Sequence, residues 1–237
     1  LIGDNVYVTV KIISTSDEDT VSKIVKATNR QTEGSDEQLM ALNDFNKKLE
    51  SYYQTYSGTQ RLYYERRSKQ YANTAEVEKV RIITIPTQIK SFSSMFLDKP
   101  HLASRYYGRL LKDSNDIFNS DHRPIAYYVS AYALYKIEYL IRNKQIDQQY
   151  NRYRYHILML IKYLALEGNP QPPLNSHKME QLCQKIQSIL NNPNELSLYI
   201  NNACKIIARE VGDLSDSENT KTAAITEKIK IAASCAE

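Results

Sequence analysis

The chain has 237 residues, room for one large domain or two small ones, since domains usually run ~100–200 residues. Its formal charge of +4, from 31 basic and 27 acidic residues, is too small to argue for nucleic acid unless the basic groups cluster. Tyrosine is the outlier, with 19 copies against 4 Phe and no Trp, so many rings must combine an apolar body with a satisfied hydroxyl.

In chain order, residues 5–13 (NVYVTVKII) alternate and are rich in β-branched side chains, which predicts a strand with one buried face. Ser16 with Asp19 then caps a helix whose stripe is Val21, Ile24, Val25 and Thr28. Ser35 opens a second helix carrying Leu39, Leu42, Phe45, Leu49, Tyr52, Tyr53 and Tyr56, ended by Ser57-Gly58. Residues 81–85 read as a short strand or an extended lead-in, and Pro86 suits the first turn of a helix bearing Ile89, Phe92, Met95 and Phe96.

Helices are expected over 100–112, 124–142 and 148–167, the last apolar on more than one side near Leu158 to Ile161. Gly168-Asn169-Pro170-Gln171-Pro172-Pro173 is the clearest break, because proline fixes φ and removes a donor. Helical segments follow at 176–191, 194–211 and 219–235. The expected fold class is mainly α, with α+β character confined to the N-terminal end: a multi-helix bundle with a short β element at 5–13. The expected organisation is a domain over 1–167, a Pro-rich linker over 168–175 and a C-terminal helical segment over 176–237.

Catalytic signals are scarce. Cys183, Cys204 and Cys235 form no CxxC, and His101, His122, His156 and His177 have no zinc-ligand spacing, so neither metal nor cofactor is expected. There is no phosphate-binding glycine loop and no nucleophile elbow. The acids at 17–19 read as helix capping, and those at 213–218 as a solvated loop. No signal peptide is visible and no apolar run approaches the ~20 residues a bilayer requires, so a cytoplasmic protein without a membrane partner is expected.

Binding residues are the better prospect. Asn29, Arg30 and Gln31 end a capped helix and offer bidentate amide and guanidinium groups, although a plain C-terminal helix turn explains them as well. LYYERRSKQY (62–71) places Tyr63, Tyr64, Arg66, Arg67 and Lys69 together. Single-stranded nucleic acid is held by this texture, rings stacking on bases and cations tracking phosphates. Arg105 with Tyr106, and Arg152 with Arg154, repeat it in SRYYGRLLK and NRYRYH. At helical spacing the same rings face a core while the arginines cover it, and each segment alone is better explained that way.

VKIISTSDEDTVSKIVKATNRQT (10–32) together with LYYERRSKQY resembles the AIPR family, the abortive-infection phage-resistance proteins of bacteria. The resemblance runs on through RIITIPTQIKSFSSMFLDKPHLASRYYGRLL (81–111) and HRPIAYY (122–128), covering about residues 6–165. It implies a C-terminal portion of a longer phage-defence protein, in line with an opening Leu1-Ile2 rather than Met. It also implies that Asn29, Arg30 and Gln31 face a site completed by upstream residues. Three functions follow as expectations: a binding or sensing module for nucleic acid or a phage component, part of a nuclease or other toxic effector with its catalytic residues upstream, or a helical scaffold forming a homo-oligomer through its C-terminal helices.

Overall fold

The computed structural model describes residues 12–15, 17, 20, 24, 43–112 and 117–234. The protein is mainly helical with a small β element. Most of the predicted strand at 5–13 and nearly all of the helix from Ser16 lie outside the described residues. Ile12 and Ile13, at the end of that stretch, are exposed and without regular structure.

Helix α1 spans Asp44–Gln54. It does not continue back to Ser35 as one helix, because Asn43 is extended and its side chain accepts from the Phe45 amide as an N-cap. Strand β1, Tyr63–Glu65, follows, and the described β element forms here when it pairs in parallel with β2, Ile82–Thr84. Tyr64 lies opposite Ile83 in this register, and both are buried. A parallel pair needs a long crossover, which residues 66–81 supply with turns and a 3-10 segment, Lys79–Arg81.

Thr84 ends β2 and caps α2, Ile85–Phe96, accepting from the Thr87 amide while Pro86 occupies the first turn. The helix expected over 100–112 is broken into α3, Pro100–Ala103, and α4, Tyr107–Lys112, with Ser104 to Tyr106 between them. Helix α5 spans Pro124–Arg142, and α6, Arg154–Leu166, is entered through a 3-10 segment at Gln148–Tyr153. Buried serines at 91, 93, 94 and 130 sit within the α2, α5 and α6 core. Such small side chains let helices approach closely, and Gln88 bridges α2 to α5 by donating to the Tyr127 carbonyl at 2.9 Å.

Past the proline-rich turn come α7, His177–Asn191, α8, Pro193–Val211, and α9, Ala223–Ser234. Asn192 serves both neighbours, as C-cap of α7 and as N-cap accepting from the Asn194 and Glu195 amides. Helix α7 packs on α5, and α8 and α9 pack on α6, so a single apolar core runs from Phe45 to Ala233. The turn itself is clasped to the start of α5, where Arg123 donates from its amide to Leu174 and from Nε to Asn175.

Candidate functional site

Asn29, Arg30 and Gln31 lie outside the described residues. The five candidates of the LYYERRSKQY segment divide by strand alternation. Tyr64 points inward at 1% exposure, donating to Asn46 Oδ1 at 2.5 Å, with its ring 5.3 Å from that of Tyr53. Arg66 points the same way at 5% exposure, its Nε 2.8 Å from Glu50 Oε2. Gln70 takes the other oxygen of Glu50 at 2.5 Å, so the carboxylate anchors the crossover to α1. Both side chains are engaged inside the fold.

Tyr63 and Lys69 lie on the outer side, half-buried and exposed respectively, while Arg67 is half-buried with its Nε enclosed. The Tyr63 ring meets Tyr71 edge-on at 5.5 Å and 67°, and the Arg61 guanidinium lies 5.1 Å from the Tyr63 centroid. Arg61 also donates to the carbonyls of Tyr53 and Tyr56 at the end of α1, where a cation favours the helix dipole. Its orientation over the ring is therefore fixed by the fold. Backbone strain marks the same turn, since Lys69 has φ of 62°.

Apart from the exposed Arg105, the other basic-aromatic residues are held by separate partners. Arg105 is exposed, and the half-buried Tyr106 lies under the Arg109 guanidinium at 4.7 Å. Arg154 pairs with Glu138 on α5 and covers the Tyr155 ring. Arg152 donates to the Ser215 carbonyl. Burial raises the Glu138 carboxyl, with Arg154 and Arg142 opposing it.

One polar constellation was invisible in the sequence. Asp98, at φ of 54°, ends the turn after α2 and places its carboxylate against α6. Lys162 Nζ, fully buried, lies 2.6 Å from Asp98 Oδ1 and 2.9 Å from Gln171 Oε1. Tyr163 donates to Asp98 Oδ2 at 2.5 Å, and Lys230 of α9 lies 3.3 Å from the same oxygen. Burial alone would raise the Asp98 carboxyl, but the Lys162 charge, the two hydrogen bonds and Lys230 outweigh it and hold it below its usual range. Burial lowers the Lys162 ammonium, and the facing carboxylate works against that shift. Gln171 belongs to the proline-rich turn, and its Nε2 donates to the Phe96 carbonyl, so the break in the chain closes this network.

A second polar group lies on the same side of α6. His156 is fully buried, with Nε2 3.2 Å from Thr226 Oγ1, and that hydroxyl also meets His101 Nδ1 at 3.3 Å. Burial, with a smaller contribution from His101, pushes the His156 imidazole down to about 3. Among the described residues no group of three or more His, Cys, Asp or Glu could hold a metal ion. Nor is any helix among them long and apolar enough to cross a membrane.

No curated protein and no solved structure matches the chain. A family model does: that of the AIPR protein matches residues 2–219, extending the likeness beyond the proline-rich turn and through α7 and α8. With most of its length inside that match, the chain belongs to the AIPR family.

Proposed function

We propose that this chain is the binding portion of an abortive-infection phage-defence protein and that its ligand is single-stranded nucleic acid. Family membership supports the defence role. The observation that carries the ligand is the Tyr63–Tyr71 ring pair topped by Arg61, with Arg67 and Lys69 on the adjoining turn. A base stacks on such a pair, at ~1–3 kcal/mol per ring, while the flanking cations follow the phosphates. Arg66 and Tyr64 hold the strand in place and make no part of the grip.

The test is fluorescence anisotropy with a labelled single-stranded oligonucleotide over a salt series. Tyr63→Ala and Tyr71→Ala each weaken binding about tenfold, whereas Tyr63→Phe retains it. Lys69→Ala lowers the slope of log affinity against log salt by ~0.7. Affinity that ignores both salt and these substitutions, in proteins with unchanged circular dichroism, would overturn the proposal.

A further inference from the structure

The family match stops at residue 219, just before α9 begins at Ala223. Helix α9 packs on α8 as well as on α6 and α3, but few of its own side chains are fully buried. Thr226, Ile229 and Ala233 are buried and Ile225 and Ala232 pack half-buried against the core, whereas α6 buries ten of its thirteen residues, and Ile231 of α9 stands 56% exposed.

Two polar ties add to this apolar packing. The Thr226 hydroxyl sits between the imidazoles of His156 and His101, and Lys230 reaches the carboxylate of Asp98 that already holds Lys162 and Tyr163. Beneath it, His156 Nδ1 has no hydrogen-bond partner although the side chain is fully buried. At the far end Ser234 forms part of the wall of a cavity of ≈ 310 Å³, with Tyr163, Asn169, Pro170 and Gln171 among the other walls. The cavity therefore opens on the seam between α9 and α6.

We propose that α9 is a detachable strap over a polar groove of the family-matched body, with His101, His156, Asp98, Lys162 and Tyr163 as the groove's floor. Local opening is easiest where few apolar contacts are lost. Each polar tie exchanges for water at small net cost, because protein–water bonds replace it. Helix α9 thus releases while the packing of α2, α5 and α6 persists. Release extends the cavity towards Lys162 and opens the imidazoles to solvent, so the docked strap keeps the groove shut.

Hydrogen exchange by mass spectrometry on the full chain tests this, with reductive dimethylation of Lys162 as a second readout. Amides of α9 exchange about a hundredfold faster than those of α6, and Thr226→Val or Lys230→Ala adds about tenfold more in α9 alone. Lys162 modification rises in step with α9 exchange. Equal protection of α9 and α6 in all three proteins, or Lys162 reactivity that follows α6 exchange instead, would overturn the strap.

Discussion

His156 offers a quantitative test of how tightly the α6–α9 seam is closed. The imidazole is held neutral, with its pKa brought from 6.5 to about 3 by burial and by His101. A depressed histidine pKa contributes stability that is complete above 6.5 and is lost as pH falls towards 3, because the unfolded chain takes up the proton first. Every tenfold difference in proton affinity between the folded and unfolded chain is worth ~1.4 kcal/mol, so a change from about pH 7.5 to about pH 5 costs ~2 kcal/mol through this residue. His156→Gln removes the titration while retaining an amide able to reach Thr226. Urea unfolding at both pH values therefore shows the wild type losing ~2 kcal/mol more than the variant. His101 is shifted in the same direction but is present in both proteins and drops out of the difference. Parallel losses, within ~0.5 kcal/mol of each other, would refute a dry neutral imidazole at this seam.

Asp98→Ala strands the Lys162 ammonium in the core and costs ~3–5 kcal/mol by denaturant unfolding, and the added Lys162→Met change recovers much of that loss. Tyr64→Phe takes a hydroxyl donor away from the buried Asn46 amide and lowers stability by ~1–2 kcal/mol, with nucleotide affinity unchanged once the folded fraction is accounted for. Cys183 and Cys204 react slowly with a disulfide reagent in the native state, since burial pushes Cys183 far up and Cys204 up to about 12. Labelling at the unfolded rate would show that neither thiol is enclosed.

Helices with a proline in the first turn or a polar cap were legible in the sequence. Helices α5, α7 and α8 stand within a residue or two of their expected bounds, and α2 has Pro86 in its first turn as expected, because Pro86, Pro124, Ser176 and Asn192 mark their starts chemically. Two boundaries were not legible. An apolar stripe from Leu39 to Tyr56 carries no sign that Asn43 turns its backbone extended, and Arg105-Tyr106 interrupts a pattern that fits a helix.

The strand through Tyr63 to Glu65 was hidden because its alternation is written in Tyr, Glu and Arg rather than aliphatic residues. Burial of Arg66 depends on Glu50, sixteen positions back. The Asp98–Lys162 contact spans 64 positions, which local pattern cannot register. Composition could suggest a Tyr/Arg surface, but only the pairing of β1 with β2 decides which of those side chains faces out.

The tyrosines of α5 carry a further consequence. Tyr128 lies flat against Tyr56 at 3.6 Å, and a column of rings continues through Tyr132 and Tyr135 to Tyr139. With no tryptophan in the chain, these coupled phenols form a chiral chromophore array that contributes to the near-ultraviolet signal. Because Tyr56 lies just beyond α1 and Tyr128 on α5, loosening α1 from the bundle disturbs the array before helix content changes. The protein thus carries an optical gauge of its own tertiary order.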